Sequence, residues 1–70
     1  SPLKKVTFDL KSLNELREIS KFLNDNGDTL INIQVHNKDQ NFRFELKNKR
    51  NIDRKTLNLL RNKEISAIID

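Results

Sequence analysis

Four short stretches alternate apolar and polar residues with the period of two of a half-buried strand. Two stretches of helical spacing separate them, each opened by a capping signature. The middle two strands are joined only by Asn37-Lys38-Asp39-Gln40, short enough for a hairpin. Together these observations predict an α+β domain of order β-α-β-β-α-β, a ferredoxin-like two-layer sandwich. In that arrangement a four-stranded antiparallel sheet, built on a split β-α-β unit, carries two helices on one face.

The first strand spans Leu3 to Leu10, with Val6, Phe8 and Leu10 facing the core and Lys5, Thr7 and Asp9 facing away. Ser12-Leu13-Asn14-Glu15 matches a capping box, in which the hydroxyl and the carboxylate each satisfy a first-turn amide. Leu13, Leu16, Ile19, Phe22 and Leu23 form the apolar stripe of the helix that follows. Asn24-Asp25-Asn26-Gly27 closes that helix, with Gly27, the single glycine of the chain, as a left-handed cap. From Leu30 to His36, Ile31, Ile33 and Val35 share one face while Asn32, Gln34 and His36 share the other. Phe42, Phe44 and Leu46 repeat the pattern. Pairing Val35 with Phe42, Ile33 with Phe44 and Ile31 with Leu46 gathers all six apolar side chains on one face, and sets Gln34 against Arg43 and Asn32 against Glu45. After the polar stretch from Lys47 to Asn51, Ile52, the N-cap Asp53 and Leu57 fit a hydrophobic staple. Leu57 and Leu60, with Leu59 beside them, form a short stripe ending near Asn62. Ile65, Ala67 and Ile69 make a last strand with Ile68 on its opposite face.

Seventy residues, of which 34% are hydrophobic, support one small domain and one core. A chain of this size buries only about 60% of its unfolded surface, so a stability of a few kcal/mol is expected. Zero Cys and a single His exclude disulfides, structural zinc, iron–sulfur clusters and thiol chemistry. No run approaches the roughly 20 apolar residues of a membrane span, and the N-terminus lacks a signal-peptide hydrophobic region. The chain reads as a cytoplasmic domain, and Ser1-Pro2 as the boundary of a domain excised from a larger protein. The net charge of +4 points toward nucleic acid or an acidic partner, although the wealth of Lys, Asn and Ile is also the bias of AT-rich coding.

Catalytic ingredients are thin. His36 falls at a strand end on the solvent face with no Cys to partner it, and the carboxylates are dispersed. Gly27 precedes a strand, which excludes the dinucleotide fingerprint and the P-loop. Neither metal, cofactor nor small-molecule ligand is expected, and the chain itself is not expected to be an enzyme. The RNA-recognition motif shares this element order and stacks bases on aromatics of its third and first strands. Here Asn41 stands where that pattern has Gly, and Thr7 where it needs an aromatic. Turning Phe42 and Phe44 outward would also drive Arg43, Glu45 and Lys47 against the helices unpaired, which is prohibitively costly. The phenylalanines are therefore assigned to the core. A ligand-binding domain of ACT type has the same order, but its Gly-containing loop after the first strand is replaced by Leu10-Lys11-Ser12 passing straight into the helix.

The densest charge lies in the segment from Lys47 to Lys55, where Lys47, Lys49, Arg50, Arg54 and Lys55 accompany a single acid, Asp53. Arg54 and Lys55 oppose the dipole of the helix they open, which makes this link the candidate partner-binding patch for a phosphate backbone or an acidic protein surface. Lys4, Lys5 and Lys11 form a looser second group. A solvated connector is the plain alternative.

From Lys5 to Asp70 the layout resembles the extreme C-terminal domain of the bacterial DNA polymerase III alpha subunit. The likeness rests on the helix ending in Gly27-Asp28, the strand Thr29-Leu30-Ile31-Asn32-Ile33-Gln34-Val35, and Asn41-Phe42-Arg43-Phe44-Glu45-Leu46. It continues through the polar link to Ile52-Asp53, the Leu-rich short helix and the terminal Glu64-Ile65-Ser66-Ala67-Ile68-Ile69-Asp70. Ile52 stands where the family often has Val. The resemblance implies a parent DNA-directed DNA polymerase whose metal-binding palm aspartates are not in this segment, so the segment has no polymerase activity. It further implies a replisome module that binds the tau subunit of the clamp loader, near a domain that handles single-stranded template. No tau-contact motif transfers residue by residue. The alternative function is a small single-stranded nucleic-acid-binding domain using the 47–55 link.

Overall fold

A computed structural model describes residues 3–70, so the boundary read at Ser1-Pro2 lies outside the described residues. The elements follow in the expected order: β1 (Lys5–Leu10), α1 (Leu13–Ser20), β2 (Asn26–Asn37), β3 (Gln40–Glu45), α2 (Arg54–Asn62) and β4 (Ser66–Ile69). Val6, Phe8, Leu10, Ile31, Ile33 and Val35 project from one sheet face into a single cluster with Ile19 and Leu23 from the α1 side and Leu57 and Leu60 from α2. Both N-caps form as the sequence predicts, but the Glu15 carboxylate reaches past the first turn. The Glu15 amide donates to Ser12 Oγ at 3.3 Å, and the Thr56 amide donates to Asp53 Oδ1 at 2.8 Å. Glu15 Oε1 accepts from the Lys11 amide at 2.9 Å, one residue before the cap. Ile52 and Leu57 are buried on either side of Asp53, as a staple requires.

The sheet order overturns the antiparallel ferredoxin-like assignment. The strands run β3-β2-β1-β4, and β1 and β2 are direct parallel neighbours, with Val6 opposite Ile31, Phe8 opposite Ile33 and Leu10 opposite Val35. β4 pairs antiparallel with β1, and β3 antiparallel with β2. Strand directions are the same in both arrangements. They differ in whether β3 is inserted between β1 and β2 or lies outside β2. The side chains explain the choice. β2 carries Ile31, Ile33 and Val35, all at most 1% exposed, and suits a central strand. β3 is short, carries Arg43 and Glu45, and suits an edge.

Three local expectations are also corrected. α1 ends at Ser20, so Phe22 and Leu23 reach the core from the following turn. Gly27 is not a helix cap: it lies in β2 without a positive φ, and a Cβ there would stand 2.6 Å from the Asn51 Cα and N. Its amide donates to the Lys49 carbonyl at 3.2 Å, and the Asn51 amide donates to the Asp25 carbonyl at 2.8 Å, so glycine is needed for close backbone approach. Finally, the hairpin register is the predicted one, with Val35 opposite Phe42 and Ile33 opposite Phe44. Phe42 and Phe44 nonetheless remain 45% and 40% exposed, because β3 lies beyond the strands on which the helices pack.

Candidate functional site

The link between β3 and α2 is held by backbone. Besides its bonds at Lys49 and Asn51, Arg50 bridges Asn26 and Thr29, which ties the link to the beginning of β2. The Arg50 side chain turns inward. Its Nε donates to the Leu23 carbonyl at 2.8 Å and its Nη1 to the Asn48 carbonyl. Of the five candidate cations, Arg50 thus fastens the turn after α1 to the link. Lys47, Lys49, Arg54 and Lys55 are exposed, and none makes an ion pair among the described residues. Lys47 and Lys49 precede the bridge at Arg50, and Arg54 and Lys55 open α2 beyond the Asp53 cap. Amides and the nearby Lys55 hold the Asp53 carboxyl below the ordinary Asp range, the Thr56 amide contributing most.

A shallow hollow separates residues 26–29 of β2 from residues 51–54 of the link, with Asp28 on one wall and Arg54 on the other. Its buried hydroxyl, Thr29 Oγ1, already donates to the Leu3 carbonyl at 2.6 Å. Among the described residues no buried side-chain polar atom lacks a partner, and no three of His, Cys, Asp and Glu gather as metal ligands. Asp28 and Arg54 are exposed and flank the hollow with charges of opposite sign.

Of the looser group, Lys5 pairs with Asp70 at 3.8 Å across the β1–β4 edge. The sheet face away from the helices carries one feature that residue patterns did not reveal. His36 is exposed, as expected, but its Nε2 lies 2.7 Å from Asp9 Oδ1 on β1 and its Nδ1 lies 2.7 Å from Asn41 Oδ1 on β3. With both ring nitrogens against acceptors, the charged imidazolium is favoured. The Asn41 contact first and the Asp9 contact second raise its pKa above the ordinary imidazole value. The three side chains Asp9, His36 and Asn41 thereby link β1, β2 and β3 across the open face of the sheet. Asp9 reaches His36 only because β1 and β2 are adjacent. The antiparallel order would have placed β3 between them.

No helix among the described residues is long and apolar enough to cross a membrane. Compared with family models, with curated proteins and with solved structures, the chain matches none.

Proposed function

We propose that this chain is a non-catalytic interaction module whose basic link binds an acidic surface of a protein partner. The observation that carries the reading is the placement of Lys47, Lys49, Arg54 and Lys55: four exposed cations without an ion-paired acid among the described residues, on a segment whose backbone is fastened to β2 and whose Arg50 faces inward. A charged surface on a fixed backbone loses little conformational freedom on binding and steers an oppositely charged partner. The resemblance to the C-terminal domain of the polymerase III alpha subunit supplies the partner, the tau subunit of the clamp loader, and with it a role in tethering the polymerase within the replisome.

The aromatic residues favour a protein over single-stranded nucleic acid. Base stacking on an extended strand needs exposed aromatic faces beside the cations. Phe8 is buried and Phe22 packs against the core, and the two exposed rings, Phe42 and Phe44, lie on β3 and not on the 47–55 link that carries the cations. A titration of isotopically labelled chain with the C-terminal domain of tau tests the reading. Amide shifts confined to residues 47–55, weakening as salt is raised and lost in a Lys47→Glu/Lys55→Glu variant, are the expected result. No shifts with tau, or shifts in this segment with a single-stranded oligonucleotide instead, would overturn it.

A further inference from the structure

β3 is one of the two edge strands of the sheet. Every residue of Gln40–Glu45 is exposed, and among the described residues the strand pairs only with β2. Leu46 donates its amide to the Ile31 carbonyl at 2.9 Å, which makes that pair a hydrogen-bonded one. Hydrogen-bonded pairs alternate along an antiparallel ladder, so Phe44 and Phe42 also bond inward to β2. Asn41, Arg43 and Glu45 therefore direct their amides and carbonyls outward, unpaired. On the helix side, Phe42 and Phe44 lie uncovered, and Phe44 and Leu46 border a groove with Leu16 and Ile33.

We propose that two copies of this chain pair through β3, antiparallel about a two-fold axis at Phe44, to form a continuous eight-stranded sheet. The register follows from the side chains. An axis perpendicular to the sheet keeps both helix layers on one side and requires facing residues to share a face. Centred on Phe44, it sets Phe44 against its own copy, Phe42 against Leu46, and Arg43 against Glu45. Arg43 and Glu45 are also the residues with outward backbone groups, so the two symmetry-related Arg43–Glu45 pairs become the hydrogen-bonded ones. Phe44 falls at the close, non-hydrogen-bonded position where aromatic side chains pack best. Neighbouring registers fail on charge: centring on Arg43 sets arginine against arginine, and centring on Glu45 sets glutamate against glutamate. Only the Phe44-centred register opposes unlike charges while joining the apolar residues of both copies into one strip between the two α1 helices. Beyond the Phe42–Leu46 pair this register sets Lys47, one of the cations assigned to partner binding, opposite Asn41 of the copy, while Lys49, Arg54 and Lys55 lie outside the paired strand.

Sedimentation over a concentration series reaching about 1 mM tests the pairing by mass action. The wild-type chain is expected to pass from 8.3 kDa to twice that mass. Arg43→Glu and Glu45→Arg should each suppress the dimer, and the double exchange should restore it while far-UV dichroism stays unchanged throughout. The chain has no cysteine, so Phe44→Cys supplies an independent readout. Under mild oxidation it should cross-link to its own copy, whereas Phe42→Cys, which faces Leu46, should not. A chain that stays monomeric to the top of the series, or charge variants that do not rescue each other, would overturn the proposal. Monomer that binds an extended peptide along β3 would assign the edge to a strand of another protein instead.

Discussion

Replacing Glu64 with glycine should stabilise this fold. α2 ends in a Schellman motif: the Glu64 amide donates to the Arg61 carbonyl at 2.9 Å, the Ile65 amide donates to the Leu60 carbonyl at 3.1 Å, and Leu60 and Ile65 are both buried. The motif needs a left-handed residue after the C-cap, and Glu64 occupies it with φ of 65°. A residue with a Cβ is raised there by about 1–2 kcal/mol. Glycine removes that cost but gives back about 0.5–1 kcal/mol in greater loss of backbone freedom. The net gain is about 0.5–1 kcal/mol. For 70 residues the unfolding entropy is about 0.15 kcal/mol/K, so Tm should rise by roughly 3–7 °C. Thermal unfolding followed by far-UV dichroism, with urea unfolding to check that the m-value is unchanged, measures it. Glu64→Ala is the control, because it removes the carboxylate from the helix C-terminus while keeping the Cβ. It should shift stability by no more than about 0.5 kcal/mol. A Glu64→Gly variant no more stable than Glu64→Ala would refute the reasoning.

Gly27→Ala places a Cβ 2.6 Å from backbone atoms of Asn51 and should cost about 1–3 kcal/mol in urea unfolding, whereas a neutral result would mean that the β2–link contact is looser than described. Arg50→Ala removes charged donors from the Leu23 and Asn48 carbonyls and should cost about 2 kcal/mol, while Lys49→Ala stays within about 0.5 kcal/mol; equal effects would contradict a structural role for Arg50. His36 titrates above its unfolded value, so the stability it adds is fully present below the unfolded pKa and is lost as pH rises through the folded one. Proton NMR titration should show this elevation fall in Asn41→Ala and, separately, in Asp9→Asn; an unchanged pKa in Asp9→Asn would deny the Asp9–His36 contact.

The sequence made element identity legible because each element carries its own signal. Ser12 and Asp53 announce helix starts through hydrogen bonds made within three residues, and the β2–β3 register follows from a two-residue turn joining two alternating segments. Strand order has no such local signal. Both the parallel β1–β2 neighbourhood and the split arrangement accept the same inward faces, the same directions and the same hairpin. The choice rests on a comparison across strands, since β2, whose Ile31, Ile33 and Val35 are all buried, gains more from two neighbours than β3, whose residues are exposed along its whole length. The same blindness hid the Asp9–His36 contact and misassigned Gly27, whose constraint comes from Asn51, twenty-four positions away in sequence. Within the candidate site the run of cations was legible, but Arg50 could not be separated from its neighbours. Its inward turn depends on the Leu23 carbonyl, which an α1 continued to Gly27 would have kept inside the helix.

Strand order also decides what Phe42 and Phe44 do. In the split arrangement β3 would lie between β1 and β2, under the helices, and both rings would be core residues. In the observed order α1 packs on β1 and β2 and α2 on β4, and a helix about 10 Å across spans only about two strands spaced at about 4.8 Å. β3 is left outside that cover with its inward face apolar and its outer backbone unpaired. Arg43 and Glu45, two residues apart on the opposite face, repel a shifted copy and attract one centred on Phe44. The alternation that reads as a core strand in sequence thereby becomes, through one change of neighbours, a self-complementary edge.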